Sequence, residues 1–452
     1  MKTNSDEMHN QEMLLKKIRQ SSEVFDKLAN SYEVWVPESG WLAGRRNRDK
    51  NDSKRKNLTD WSILSFLLEI DNCHYPMADS YLQYGIDGVI RIAAETLETL
   101  KNNLQSELQD QTQLDIAYLE SLLHVWKRFR QFVADHMVLA LECAKQETSD
   151  TKKKRYEKIA KICQNLTINK PNTFCEALQL FWFTYLFRSP FGAGCIGRLD
   201  QLLYPFYKHD CEMGIWDQQE AEKMLEEMFT RMNEINTGDT LRNLMLSGQD
   251  AKGNDQTNEI TYLILVAYEN TGGSEPHLNV RFHEKTPKKL RDNCINMLSS
   301  GSGQPTIYFD EAVLPAMEKA GICHEDACQY ANDGCTETVI AGKSAIVFWQ
   351  YEMVKTVELT LFGGNENPCV KPVSMKKNSI HGADFVPKTN LLIGIESKKP
   401  QELTTFSEFL SAFFEQMDHQ LDHYFLMIKQ KMQEDQTVSI TSPFTAGDRK
   451  SV

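Results

Sequence analysis

Short apolar runs alternate with helix-like segments between residues 244 and 319, and this alternation constrains the fold more than any other feature of the chain. The runs are bounded by glycine, proline or polar residues, as strands are, and they lie at 244–250, 277–282 and 304–310. Segments with apolar residues at helical spacing follow each run, at 254–268, 290–298 and 311–319. Strands that alternate with helices predict a parallel sheet covered by helices, and hence an α/β fold.

The rest of the chain is predicted to be mostly helical. Residues 114–166 are expected to form two long helices hinged at 148–151, because Ser and Asp there precede a fresh helical run. The segment 174–182 is apolar on more than one face, which predicts a buried helix. After the sheet, residues 353–362 predict a helix that ends at Gly363, and residues 406–431 predict another.

Composition excludes several classes of partner. The formal net charge of −13 argues against nucleic acid, which needs a basic surface. No apolar signal region begins the chain, and its longest apolar run, 178–187, is too short to cross a bilayer. The eleven cysteines have no framework spacing and no paired Cys-x-x-Cys, so reduced thiols and no bound metal are expected. We therefore expect a cytoplasmic protein without a membrane or nucleic-acid partner.

The stretch 330–337, Tyr-Ala-Asn-Asp-Gly-Cys-Thr-Glu, combines turn chemistry with reactive side chains. Asn and Asp tolerate left-handed backbone, and Gly334 has no Cβ to forbid it, so Cys335 is expected at or just past a loop tip. Residues two apart in extended backbone point to the same side, about 6–7 Å apart along the chain. The thiol of Cys335 and the carboxylate of Glu337 are therefore predicted to line one small space.

Three charged residues close the predicted strands. Asp250, Arg281 and Asp310 stand at or near strand ends, and the carboxyl ends of parallel strands form the mouth where barrel enzymes hold their sites. These residues are candidates to contact a small-molecule substrate, although a structural role is the more common one for any single residue of this kind. One other chemistry remains open, in which Cys335 is a thiolate nucleophile served by a histidine. The candidates for that histidine, none within a motif, are His277, His324 and His381.

Several stretches carry a family resemblance. Gly334-Cys335-x-Glu337, with Gly342-Lys343 after it and Glu-Asp-Ala and Tyr before it, resembles the cysteine loop of glycyl radical enzymes, the pyruvate formate-lyase-like family. Upstream, a Glu-Ala-x-Gln helix at 176–179 leads into Gly-Arg-x-Asp-Gln at 197–201 and then Tyr-Pro, also as in that family. The resemblance is strongest over residues 174–364.

The resemblance implies a radical mechanism. Cys335 would become a transient thiyl radical, and Glu337 would act as the base for an elimination. The radical would come from a glycyl radical of the protein itself, installed by a separate radical S-adenosylmethionine activating enzyme, so no cofactor need be bound to this chain. The resemblance is also compatible with an anaerobic setting and with a homodimer.

The residues beside Cys335 narrow the reaction class. Pyruvate formate-lyase proper has two adjacent cysteines, whereas Cys335 here stands between Gly334 and Thr336. The resemblance therefore implies a dehydratase, or a related C–O, C–N or C–S lyase, acting on a small polar substrate. Arylacetate decarboxylases also carry Cys-x-Glu, so decarboxylation stays open, as do a formate C-acetyltransferase-like activity and a non-catalytic remnant.

The resemblance also implies an incomplete enzyme. Family members continue into a domain with an Arg-Val-x-Gly-aromatic signature that houses the radical, but no Arg-Val pair occurs here and 115 residues follow Glu337. We expect a helical N-terminal region at 1–110, a first half-barrel at 111–345 that ends in the cysteine loop, and a truncated start of the second at 346–452. An open half-barrel would associate with a partner or aggregate, and it would be inactive alone.

Overall fold

The computed structural model describes residues 4–45, 80–102, 110–188, 195–215, 218–234, 242–272, 275–334, 337–344, 353–365, 394–398 and 400–435. Cys335 and Thr336 are therefore outside the described residues, as are His381 and the predicted continuation of the chain beyond 435. The described chain divides into two compact units, one within residues 1–346 and one within residues 347–439.

The first unit begins with seven described helices that precede its sheet. They are α1 (Asn4–Ser31), α2 (Ser80–Asn102), α3 (Asp110–Gln146), α4 (Asp150–Ile168), α5 (Phe174–Arg188), α6 (Leu199–Met213) and α7 (Gln218–Asn233). Helix α3 packs against α1, α2 and α4. The predicted hinge is present, since α4 has Ser149 as its N-cap residue.

Helix α5 is buried, as its apolar pattern predicts. Phe181 and Phe183, on different sides of the helix, are both fully buried. The side chain of Gln179 on the same helix donates to Ala43 O at 3.0 Å and accepts from Ala43 N at 2.7 Å. Because a buried amide must have its hydrogen bonds satisfied, this reciprocal pair fixes the segment after α1 against the core.

A three-stranded parallel sheet follows, with the strand order β1-β2-β3. Its elements, in chain order, are β1 (Asn243–Ser247), α8 (Glu259–Thr271), β2 (His277–Phe282), α9 (Lys288–Ser299), β3 (Thr306–Phe309) and α10 (Asp310–Lys319). The predicted alternation of strand and helix is confirmed, and the first unit is α/β. Asp310, expected at or near a strand end, directly follows β3 and is the first residue of α10.

The sheet leads directly to a small hairpin. The short helix α11 (His324–Ala327) is followed by β4 (Ala331–Asp333) and β5 (Glu337–Val339), which pair in antiparallel fashion. Strand β4 packs against β1. The sheet therefore supports the stretch that the sequence marks as reactive.

The second unit contains α12 (Met353–Leu361), a 3₁₀ turn at Pro400–Glu402 and α13 (Phe406–Asp435). Helix α12 ends as predicted, because Gly363 has a positive φ of 63° and Gly364 N donates to Leu359 O at 2.7 Å. The two helices pack together, and Thr356 Oγ1 donates to Gln420 Oε1 at 3.2 Å. Among the helices that the structure describes, none is both long and apolar enough for a transmembrane span.

Candidate active site

The predicted turn lies at the connection between β4 and β5, which pair as a hairpin. Asp333 stands directly opposite Glu337 in the strand register, and Ala331 stands opposite Val339. Gly334 opens the connection with a φ of +51°, in the left-handed region that favours glycine. The prediction that Cys335 belongs to this tip stays a prediction, because its own position is not described.

The carboxylate of Glu337 lies back over the tip. A Cβ built on Gly334 would stand 2.6 Å from Glu337 Oε2, closer than real Cβ contacts come. Gly334 therefore suits this position in two ways: its backbone angle favours glycine, and a side chain there would displace the Glu337 carboxylate from its present position. Because directly opposed residues share a face of the hairpin, Asp333 and Glu337 place two carboxyl groups on the same side, one buried and one half-buried.

The hairpin is tied to the sheet by side chains of the first two strands. Asn243 Nδ2 donates to Gly334 O at 2.8 Å, and Asn279 Nδ2 donates to Asn243 Oδ1 at 2.9 Å. Both asparagines are buried. Cys195 Sγ donates to Asn332 O at 2.8 Å from the segment before α6. The backbone of the tip thus has fixed partners on two neighbouring elements.

Arg281 and Asp310 form a two-pronged ion pair behind the hairpin. Arg281 Nε donates to Asp310 Oδ1 and Nη2 donates to Asp310 Oδ2, both at 2.8 Å, and neither side chain is exposed. Tyr330 closes the pair, because its hydroxyl donates to Asp310 Oδ1 at 3.1 Å and its ring lies 4.1 Å from the guanidinium carbon. Burial raises the pKa of Tyr330, so its hydroxyl stays a donor.

Arg198 reaches the same region from the start of α6. Its Nη1 donates to Cys328 O at 3.2 Å and to Gln329 Oε1 at 3.0 Å, and its Nη2 donates to Ser247 O at 2.9 Å. Burial, with a smaller contribution from the charge of Arg281, lowers the pKa of Arg198 to about 10. Arg198 therefore remains a cation at neutral pH that holds backbone carbonyls.

Asp200, two residues along, has a different set of partners. It accepts from Ser247 N and from Thr261 Oγ1, each at 2.8 Å. Ser247 has a left-handed φ of 61°, and this bond helps to hold that conformation at the end of β1. Burial raises the pKa of Asp200. Arg198 and Asp200 thus each bind the backbone of Ser247, at its O and its N respectively, and so fix the end of β1.

Of the three residues expected to contact substrate, two contact each other in the structure. Arg281 and Asp310 form the buried ion pair, and Gln249 N donates to Asp310 Oδ2 at 3.0 Å. Asp250 instead caps its own exposed turn, where it accepts from Lys252 N at 2.8 Å and Asn254 Nδ2 at 2.9 Å. Bonds from Asn254 lower the pKa of Asp250. A substrate role for these three residues stays a prediction.

The histidines expected for a thiolate mechanism have other neighbours. His324 Nδ1 lies 2.6 Å from Glu318 Oε1, and its Nε2 lies 3.6 Å from Cys328 Sγ. Burial raises the pKa of Cys328, which disfavours a thiolate there. His277 opens β2, where burial lowers its pKa. His381 lies outside the described residues.

The sequence of this chain matches a described protein family. Residues 72–437 match the model of the family described as pyruvate formate lyase-like. The chain therefore belongs to the pyruvate formate lyase-like family, whose solved relatives include glycyl radical enzymes.

Three similar proteins show the range of the resemblance. The chain is 31% identical over 301 residues to trans-4-hydroxy-L-proline dehydratase of Clostridioides difficile, which covers 63% of this chain and 36% of the relative. It is 30% identical over 275 residues to (2S)-3-sulfopropanediol dehydratase of Klebsiella oxytoca, covering 57% and 33%. The glycerol-bound B12-independent glycerol dehydratase of Clostridium butyricum superposes with a TM-score of 0.73 at 21% identity, covering 96% of this chain and 60% of that one. The chain thus spans about a third of the length of the two curated relatives.

Proposed function

We propose that this chain carries the thiyl centre of a glycyl radical lyase, in which Cys335 exchanges hydrogen atoms with a small polar substrate and Glu337 acts as base. The observation that carries the proposal is the position of Glu337, whose carboxylate lies over Gly334, the residue before Cys335. Support also comes from two named relatives, both dehydratases. An acid–base group beside the reacting thiol is what an elimination requires.

The proposed reaction is an elimination that passes through a substrate radical. The Cys335 thiyl takes a hydrogen atom from a substrate carbon that bears a hydroxyl or amino group, which leaves a carbon radical and an S–H bond. Glu337 takes the proton of that group while the neighbouring C–X bond breaks and X departs with its electron pair, and the proton then passes from Glu337 to X, which restores the carboxylate. The product radical regains a hydrogen atom from the Cys335 thiol. A glycyl radical, installed by a radical S-adenosylmethionine activating enzyme, would supply the initial unpaired electron.

We also propose that the parallel sheet β1-β2-β3 is part of a larger barrel. The solved glycerol dehydratase chain is considerably longer than this one, since 96% of this chain covers 60% of it. Strand β3 borders the sheet, and Phe309 at its end is 57% exposed. Further strands beside β3 would cover this border and exclude solvent and oxygen from the hairpin.

The experiment is product analysis under anaerobic conditions. The chain is combined with a radical S-adenosylmethionine activating enzyme and a separate polypeptide that carries a family radical domain. It is offered hydroxylated, aminated and sulfonated two- and three-carbon compounds, hydroxyproline, an arylacetate, and pyruvate with coenzyme A. We expect loss of water, an amine or sulfite from one of the hydroxylated, aminated or sulfonated compounds. Acetyl-coenzyme A formed from pyruvate, or loss of carbon dioxide from the arylacetate as the main reaction, would contradict the proposal.

A further inference from the structure

Two buried arginines from different elements converge on the turn that enters the hairpin. Arg281 Nη1 donates to Cys328 O at 2.9 Å and to Tyr330 O at 3.3 Å, and Arg198 Nη1 donates to the same Cys328 carbonyl. We propose that Arg281, held by Asp310, is a positioning residue that sets the register of β4 and thereby the place of Cys335 and Glu337. The inference rests on the proposed function for its purpose, and its test is independent of turnover.

All three side-chain nitrogens of Arg281 donate hydrogen bonds to other groups of the protein. Its Nε and Nη2 are taken by Asp310, and its Nη1 by the two carbonyls. The backbone of Gly248 closes the remaining side, because a Cβ built there would lie 2.5 Å from Arg281 Cζ. Tyr330 covers one face of the guanidinium with its ring. Because the guanidinium is planar and rigid, the hydrogen bonds from its three nitrogens fix Asp310 and the two backbone carbonyls relative to one another.

Asp310 orients the fork. It accepts both prongs of Arg281 and also binds Gln249 N and the hydroxyl of Tyr330. Since Tyr330 immediately precedes β4, the carboxylate at the start of α10 holds both the arginine and the last residue of the turn. The chain from Cys328 to Tyr330 is thus fixed through its backbone and through one side chain.

A positioning role and a general stabilising role make different predictions. Removing one partner of a buried ion pair leaves an uncompensated charge and destabilises the whole unit, whereas removing both with apolar residues of similar size often restores stability. The double replacement Arg281→Met with Asp310→Leu should therefore melt at a higher temperature than either single variant, and below the wild type because Gln249 N and the Tyr330 hydroxyl lose their acceptor. It does not restore the donors to the carbonyls of Cys328 and Tyr330, so the hairpin should remain loosened.

The experiment is hydrogen exchange on the full chain. Amide exchange is followed at 331–334 and 337–339, with helices α3 and α4 as internal reference, in the wild type, the two single variants and the double variant. Exchange that follows local opening reports that region alone. We expect at least about tenfold faster exchange in the hairpin of the double variant, with exchange in the reference helices near that of the wild type and a melting temperature above those of the single variants.

Arg281→Lys provides a milder variant that keeps the charge and the fold. A lysine ammonium cannot bridge the carboxylate and two carbonyls as the fork does, so hairpin exchange should again rise selectively. Arg231→Lys is the matched control, since Arg231 is a buried arginine on α7 that pairs with Glu227 of the same helix, and it should leave hairpin exchange unchanged. Hairpin protection equal to the wild type in the double variant or in Arg281→Lys would overturn the inference.

Discussion

Glu337 Oε2 lies 2.6 Å from the position that a Cβ on Gly334 would occupy. The absent side chain at Gly334 therefore leaves room for the Glu337 carboxylate. Cys335, which follows Gly334 directly, is bound by sequence to the same tip. Substitutions of Gly334 and of Glu337 therefore test the two sides of this contact separately.

Gly334→Ala should displace the Glu337 carboxylate and slow turnover. The new methyl group also meets the cost of a positive φ, about 1–2 kcal/mol for a non-glycine residue. Gly321→Ala is the matched control, because Gly321 has a φ of +94° and nothing lies within 4 Å of its built Cβ. We expect a similar loss of melting temperature in both variants and a loss of activity in Gly334→Ala only. Equal activity in the two would show that the carboxylate position is immaterial.

Glu337→Gln should slow elimination about 10²–10⁴-fold, the usual contribution of a general base, because the amide cannot accept the proton. The amide is nearly isosteric, so the hairpin and any installed glycyl radical should persist. Initial rates and the electron paramagnetic resonance signal are measured on the same sample. Glu325→Gln, an exposed change on α11, is the control and should be silent. Unchanged rates in Glu337→Gln would remove this residue from the mechanism.

His136 should make the first unit sensitive to mild acid. It is fully buried between Phe132 and Phe183, its Nδ1 donates to Phe132 O at 2.8 Å, and burial lowers its pKa from 6.5 to about 4. Between these values the unfolded chain binds more protons than the folded one, so stability is present above pH 6.5 and falls as the pH drops toward 4. The loss amounts to about 3 kcal/mol.

The measurement is the free energy of unfolding by urea between pH 7 and pH 4.5. His136→Gln removes the titration and should flatten the curve in this window, whatever its effect on stability at pH 7. Parallel curves for the wild type and His136→Gln would contradict the assignment.

The chain alone should expose apolar surface and associate. In the first unit, Phe309 at the end of β3 is 57% exposed, and in the second unit Val354 on α12 and Phe406 on α13 are 81% and 73% exposed. Exposed aromatic and branched side chains favour contact with other chains, as does an uncovered strand. Light scattering should therefore give a mass above that of one chain, with binding of a hydrophobic dye. A monodisperse monomer that binds no dye would contradict this expectation.

The sequence predicts elements better than it predicts partners. The sheet of the first unit follows from the spacing of apolar runs, and the turn after β4 follows from Asn-Asp-Gly, because both depend on local backbone preference. The Arg281–Asp310 pair could not be predicted as a pair, since it joins a strand to a helix across 29 residues. The partners of Arg198 were also not predictable, because its acceptors include backbone carbonyls 130 and 49 residues away. A backbone carbonyl leaves no signal in the residue types of a sequence. Asp250 lies three residues beyond the end of β1, and its local bonds to Lys252 and Asn254 could not be predicted from that position alone.

The central claim is that Cys335 carries the atom-transferring thiol, and its substitution tests this most directly. In the anaerobic reconstitution with an activating enzyme and a radical domain, turnover is compared among the wild type, Cys335→Ala and Cys211→Ala, the last altering an exposed cysteine on α6. The account predicts elimination product from the wild type and Cys211→Ala and none from Cys335→Ala. Product from Cys335→Ala, or no product from any of the three chains, would contradict it.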